Sequence, residues 1–455
     1  MWKIKKIKSP KVILTSIIVF FTVILFLSLP VLFNYNSIQN LIEKKFYSEF
    51  KIKLKIVDNI SFKVFPKPHY LVENANLDLN IKNDKSSIIE TKNLKIFIPS
   101  KKIYSKSNII IEEIEIEKTN FFFKTDDVLD FRNHLYYMIN KPINIRDSKF
   151  FLLDEKNKTI LISLIRKARY LVNKKNNSKE LKIKGNIFDS DYSSYWKRYY
   201  AKPNSTSNEI RIKKPNLFIE NLFSFKDNLN FKGESSISFL NENIVVNYLM
   251  KNDMIYINSN KENKNQNIEL KSEIDLNPFF MNATLNINNK DANFLIDNIL
   301  SIIFNSKKAY LGNMNGNVTL LFDNIKNSLI NKGTINLSIK ESEIKLKNSL
   351  FEIKNVGKLK SSFKYYEDKG NLIFASKNIF EITNKKEFSK KFQLSLKKVK
   401  NVNKIYFDLE KNIHNNDISI SNIHLNKLDK EQFSENYYLI KNIQLLKVLV
   451  RKILS

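Results

Sequence analysis

From Val12 to Phe33 the chain reads VILTSIIVFFTVILFLSLPVLF, with no charge and nothing more polar than serine and threonine. A helix rises about 1.5 Å per residue, so roughly 22 residues reach about 33 Å, enough for a hydrocarbon core of about 30 Å. The segment predicts one transmembrane helix. No later apolar stretch is long enough to span; FLIDNILSIIF at 294–304 is interrupted by charge and amide. After the span, NSIQNLIEKKFYSEF (36–50) repeats apolar residues at helical spacing through Ile38, Leu41, Ile42 and Phe46, with Asn36 or Ser37 placed to cap it.

Most of the remainder alternates apolar and polar positions, the period of strands with one buried face. IEEIEIE (111–117) would turn Ile114 and Ile116 inward, and ISF (237–239) Ile237 and Phe239. IELKSEIDL (268–276) offers Leu270 and Leu276, and NVTLLF (317–322) offers Leu320. TINLSI (334–339) offers Ile335, Leu337 and Ile339, EIKLK (343–347) Ile344 and Leu346, and FKYY (363–366) Phe363 and Tyr365. FQLSL (392–396) would contribute Leu394 and Leu396, and IYFDL (405–409) Ile405 and Phe407. KIKLKI (51–56), TLNI (284–287) and ISI (418–420) carry the same pattern. Asp58-Asn59, Asn315-Gly316, Lys332-Gly333 and Lys369-Gly370 read as turns between them, which makes neighbouring strands antiparallel hairpins.

Helical spacing returns at 126–140, 292–304 and 436–454. Asn/Lys-rich stretches at 173–180 and 259–267 predict exposed loops, and 196–214 is the best candidate for a boundary. The expected organisation is a basic tail over 1–11, an anchor over 12–33, a β-rich domain over 34–200, a β-groove domain over 201–435 and an amphipathic helix over 436–455. The fold class is mainly β: an elongated, curled antiparallel sheet shaped as a groove, with an N-terminal transmembrane helix and a few accessory helices.

Charge adds direction. Lys3, Lys5, Lys6, Lys8 and Lys11 precede the apolar run, and such a cluster stays in the cytoplasm, so the bulk of the chain is translocated. A cleaved signal peptide would have an apolar region of about 7–15 residues and small residues at its end. Here the longer run ends in PVLFNYN, the mark of an uncleaved anchor. The net charge of +30 raises the question of nucleic acid. The lysines are, however, spread along the whole chain with abundant Asn, Ile, Phe and Tyr, and no arginine-rich arm or nucleic-acid motif accompanies them, so no nucleic-acid partner is expected. With 43% hydrophobic residues and 12% aromatic, the chain is too apolar for disorder despite a mean hydropathy of −0.33. The absence of cysteine excludes disulfides and thiolate chemistry, leaving stability to the core.

Catalytic constellations are missing. HExxH, GxSxG, GxGxxG and the phosphate-binding GxxxxGK[ST] loop do not occur. His69, His134, His414 and His424 do not pair at ligand spacing on one element, so no metal is expected. Glu112 and Glu113 would face opposite sides of a strand, and Asp126 and Asp127 begin a helix, where acids stabilise the dipole. Neither pair makes a catalytic dyad. The reading is of a protein that is not an enzyme and has no cofactor.

A basic N-terminus, a single span, a capped helix, a strand and then ISFKVFPKPHYLVENANLDL (60–79) together resemble the start of AsmA-like proteins. Phe65-Pro66 and Pro68, followed by Leu71, Asn74, Leu77 and Leu79, fit the family's proline-led phrase. GNVTLLF and GTINLSIKESEIKLKN (316–348) resemble its C-terminal hairpin, with Ser342 where glycine is usual. The middle, about 140–290, shares only general character. The resemblance implies an inner-membrane anchor, a periplasmic domain, an apolar groove like those of bridge-type lipid transfer proteins, phospholipid as the groove ligand, and a role in phospholipid transport and outer-membrane integrity. Alternation alone leaves a second possibility open, because an apolar sheet face can also pack on another sheet. The chain would then be a structural or assembly factor for outer-membrane proteins, with an outer-membrane or periplasmic protein as its partner.

Overall fold

Alternation becomes strand along most of the chain, which is mainly β: 63% strand and 17% helix, with a large curled sheet. The computed structural model describes residues 10–33, 35–79, 88–104, 108–124, 131, 134–154, 156–187, 190–202, 205–213, 216–225, 230–239, 242–251, 253–259, 267–289, 315–326, 330–340, 343–368, 371–412 and 418–426. Two units divide it: Met1–Leu152 with Ser163–Asn186 and Ser193–Thr206, and Leu153–Ile162 with Ile187–Tyr192 and Ser207–Ser455.

The first unit opens with helix α1, Pro10–Ser28, followed by a tight turn over Leu29–Leu32. The expected 12–33 helix is shorter because Pro30 has no N–H to continue the α ladder, and the chain goes on as the tight turn. Nineteen residues rise about 28 Å, and among the described residues no helix is long and apolar enough to cross a membrane. Helix α2, Gln39–Phe50, ends at Lys51 in the left-handed conformation and buries Ile42, Phe46 and Phe50 completely. Its expected cap is absent. Asn36 instead reaches across, its amide donating to Asn59 Oδ1 at 3.0 Å while its own oxygen accepts from Ile60 N.

Nine strands follow: β1 Lys53–Ile56, β2 Ile60–Lys63, β3 His69–Val72, β4 Ala75–Asp78, β5 Ile88–Thr91, β6 Asn93–Phe97, β7 Glu113–Glu117, β8 Asn120–Lys124 and β9 Ile143–Leu153. β1, β4 and β5 form a small antiparallel sheet, whereas β2, β3, β6 and β7 form another that β9 joins in parallel beside β7. Both sheets and α2 give their apolar residues to one core, in which Leu54, Phe62, Leu77, Leu94 and Ile114 are nearly or fully buried. Strands β10 Thr159–Asn173, β11 Ser178–Ile187, β12 Ser190–Tyr199 and β13 Ser205–Ile212 carry the chain onward. The loop expected at 173–180 is thus a turn at 174–177 only; the stretch 196–214 is largely strand, and the last passage between the two units falls within it, at Thr206–Ser207.

The second unit is a meander. β14 Leu217–Phe225, β15 Asn230–Phe239, β16 Glu242–Lys251, β17 Met254–Ser259, β18 Ile268–Leu276 and β19 Phe279–Asn288 pair antiparallel in order. β20 Asn315–Asp323 then lies parallel to β19, a departure from the all-antiparallel expectation. From β20 the antiparallel order resumes through β21 Ile330–Lys340, β22 Glu343–Ile353, β23 Gly357–Asp368, β24 Asn371–Ile382, β25 Lys404–Asn412 and β26 Ile418–Leu425. Two expected turns, at Asn315-Gly316 and Lys332-Gly333, lie inside strands. Gly333 is there because Phe351 on β22 lies over it: a Cβ at 333 would sit 2.8 Å from that ring.

The strand expected at 392–396 does not form. Helix α3, Lys385–Phe392, and the short α4, Leu396–Val399, take its place. Asn384 accepts from Glu387 N at 3.1 Å, a side-chain cap that starts α3, and Phe388 and Phe392 then fall one turn apart on its buried face. Asn384→Ala should lower the stability of this unit by about 1 kcal/mol, read as a lower urea midpoint, while Asn384→Asp holds it. An unchanged midpoint for the alanine variant would remove the cap from this account. Of the other expected helices, 126–140 is described only at 131 and 134–140, with helix over 134–138, and those at 292–304 and 436–454 lie outside the described residues.

Candidate functional site

Strand pleating assembles a single apolar face in the second unit. Leu320 on β20 pairs with Ile335 on β21, and Val318 with Leu337. Ile237 pairs with Ile244, Leu270 with Leu285, and Leu285 in turn with Leu320, so the apolar set runs from strand to strand without changing side. The opposite side of β23 carries Lys358, Lys360 and Lys364, all exposed. This face is unevenly covered. Ile244, Val246, Leu320, Phe322, Ile335, Leu337 and Phe374 are buried, whereas Ile237, Ile257, Leu270, Leu285, Phe351 and Phe363 pack against them only partly buried.

The predicted inward residues therefore separate into groups. Ile237, Leu270, Leu320, Ile335, Leu337 and Phe363 share the face just described. Phe239, Leu276 and Ile339 lie on its strands and are half-buried. Ile344 and Leu346 are aligned with Ile339 and Leu337 by register, and Tyr365 with Phe374; the three side chains lie outside the described residues. Ile405 and Phe407 belong to a second cluster with Phe380, Phe388, Phe392 and Val399, against which Leu394 is partly buried. Leu396 is exposed at the start of α4, because helix has replaced the strand that would have turned it inward. Ile114 and Ile116 are buried in the core of the first unit, apart from that face.

Polar side chains on this face satisfy one another. Ser361 donates to Asn378 Oδ1 at 2.7 Å, and the Asn378 amide donates to Ser376 Oγ at 2.9 Å. A similar ladder links Ser235, Asn221 and Asn208. Hydropathy does not reveal such residues, since each reads as an interruption of the apolar stripe.

The second feature is the foot of α1. From Ile13 to Phe26 every described side chain of the helix is exposed, on all sides. Below it, Tyr104 donates to the carbonyl of Phe26 and its ring lies 4.8 Å from that of Phe26. Tyr35 is buried, donates to Pro30 O at 2.8 Å, and packs against Phe62 and Tyr70 at 5.8 and 5.2 Å. Burial pushes the Tyr35 and Tyr70 phenols above their ordinary range, so both remain protonated donors. Alternation gave no hint of Tyr35 or Tyr104, since neither lies on a strand.

The titratable groups have structural partners. His69 Nδ1 lies 2.7 Å from Lys67 O and His134 Nε2 lies 3.0 Å from Phe50 O; burial lowers the pKa of both rings. Glu115, buried on β7, is held by Arg146 at 2.7 Å and Lys95 at 3.0 Å. Burial opposes ionisation of Glu117, but the hydrogen bond and charge of Lys95, with the Glu115 hydrogen bond and the Arg146 charge, together outweigh it and keep the carboxyl below the usual range. Among the described residues no group of three His, Asp or Glu is placed to hold a metal ion. No protein-family model matches the chain, and no curated protein matches it with significance.

Proposed function

We propose that the protein is an AsmA-like, inner-membrane-anchored periplasmic protein whose second unit holds phospholipid acyl chains along an elongated apolar groove. It would serve phospholipid transport between the inner and outer membranes and outer-membrane integrity. One observation supports this reading: the apolar face of the second unit continues from strand to strand on one side, with large side chains such as Phe351 and Phe363 only partly covered. Each methylene shielded there retains about 0.8 kcal/mol that transfer through water would cost. A headgroup left in solvent would give weak selection among lipids.

The anchor is part of the same proposal. A helix that exposes apolar side chains on every side has a hydrocarbon environment as its natural solvent. The following turn, at about 2.0 Å per residue, adds about 8 Å to the about 28 Å of α1, and the excess of a few Å over a core of about 30 Å is met by tilt. The lysines before α1 set its cytoplasmic end.

Photo-crosslinkers at Leu337, Phe363 and Phe407 should capture phospholipid in cells, and at Lys358 or Lys360 should not. Capture only from the lysine side, or none at any position, would sink the groove. The closed cluster around Phe388, Phe392 and Val399 favours a second reading, in which the apolar face is ordinary core and the protein is an assembly factor. Mass spectrometry of the full chain purified in mild detergent separates the two: bound phospholipid supports the groove, and a lipid-free chain with a stable protein partner supports the assembly factor.

A further inference from the structure

Two buried cations face each other in the first unit, with no carboxylate between them among the described residues. Tyr200 N donates to Asn177 O at 3.0 Å, and Lys182 lies over the ring of Tyr195. Both contacts fix the same antiparallel register between β11 and β12, which sets Lys179 directly opposite Arg198. Side chains in directly opposed positions share a face, and like charges so placed repel. Only 4% of Lys179 and 6% of Arg198 is exposed. Burial, and then the charge of Arg198, lowers the Lys179 pKa.

Lys179 is partly compensated. Its ammonium donates to Tyr136 O at 2.6 Å and Ile139 O at 2.8 Å, the carbonyls that close the helical turn at 134–138, and Tyr170 donates to Leu135 O and Ile139 O beside it. Two of its three donors are thereby used. Arg198 is compensated less. Its guanidinium lies over the rings of Tyr137 and Tyr136 at 4.5 and 5.2 Å, and Nη2 donates to the Tyr137 hydroxyl at 2.5 Å. Nη1 is buried and has no hydrogen-bond partner among the described residues. The adjacent acid, Glu180, is engaged by Asn173, Ser178 and Lys182. Tyr137 and Tyr200, whose rings lie against Arg198 and Lys179, are both exposed, so the site borders solvent through these two side chains.

We propose that Lys179 and Arg198 form a binding site for a phosphate group, carried either by a lipid headgroup or by a free phosphate. The guanidinium fork would engage two phosphate oxygens through Nη1 and Nη2, with Nη2 exchanging the Tyr137 hydroxyl for the anion, while the third ammonium donor of Lys179 takes another oxygen. The inference rests on the first unit and stands apart from the acyl-chain reading of the second.

The test uses the full chain in a zwitterionic detergent, titrated with inorganic phosphate against chloride at matched ionic strength and followed by phosphorus NMR line broadening and the thermal midpoint. Phosphate should broaden and raise the midpoint of the wild type. Arg198→Gln and Lys179→Met should each weaken phosphate binding by about tenfold or more, and Arg198→Lys should weaken it less than Arg198→Gln. Tyr137→Phe frees Nη2 and should tighten it, which keeps the test decisive even if a charge variant fails to fold. A parallel titration with short-chain phosphatidylglycerol assigns the source: protection at lower concentrations than inorganic phosphate points to a headgroup, and the reverse order to a free phosphate. No difference between phosphate and chloride for the wild type overturns the site. So does undiminished binding in Arg198→Gln, or unchanged or weaker binding in Tyr137→Phe.

Discussion

Replacing Phe20 and Val23 with lysine should release the protein from the membrane pellet into the soluble fraction. The two positions lie one turn apart near the middle of α1, and both side chains are exposed. A lysine at the centre of a spanning helix costs about 2.5–3.5 kcal/mol, so the pair costs about 5–7 kcal/mol, several orders of magnitude in partitioning. Phe20→Leu with Val23→Ile changes shape without polarity and should leave fractionation as it was. If the double lysine variant still resists alkaline carbonate extraction, α1 is not what holds the chain to the bilayer, and the anchor proposal fails with it.

The second large effect belongs to the helical insertion after β24. Phe388 and Phe392 are fully buried, their rings 4.6 Å apart and 5.6 and 6.2 Å from that of Phe380. Either residue changed to alanine should lower stability by about 3–5 kcal/mol, through lost transfer energy and the cavity left behind. The double variant should lose less than the sum, because the rings share contacts. Urea unfolding of the full chain, followed by far-UV circular dichroism, reads the shift in midpoint. A loss below about 1 kcal/mol for Phe392→Ala would mean that α3 is a surface appendage. These residues also bear on function: they close the strand ends near Phe380 and Ile405, so a chain that folds but loses crosslinking at Phe407 would show that the closed cluster shapes the adjoining face.

Legibility followed the chemistry of the buried face. Where that face is aliphatic, as in IELKSEIDL, alternation matched the strand end to end, Ile268–Leu276. Where it is polar, alternation failed. SDYSSYWKRY forms β12, yet its buried positions are Ser190, Ser194 and Arg198, which no hydropathy pattern marks as interior. Lys179 and Glu180 were hidden in the same way inside a run that reads as a solvated loop. Tertiary context overrode local signals at Gly333, where a residue that reads as a turn is instead covered by Phe351. At 392–396 a cap eight residues upstream decided the outcome, and the cue, Asn384 followed by Glu387, was present but outweighed by the short apolar alternation. The candidate face of the second unit was thus readable from its aliphatic positions. The cation pair was not, because Lys and Arg usually lie at the surface, and the aromatic foot of α1 was not, because Tyr35 and Tyr104 meet it from outside any strand.

The foot of α1 governs how the first unit can move. Pro30 and Tyr35 are already buried a few residues beyond the last turn of the helix, and Tyr104 closes on Phe26 from a distant part of the chain. Contacts thus hold the chain on both sides of the turn after the helix, so the joint would act as a mast rather than a leash. A leashed domain samples a hemisphere and meets its ligand wherever that ligand happens to be. If α1 spans a bilayer as proposed, a domain on a mast would keep one height and one heading above it, and diffusion within the membrane plane would become its only means of search.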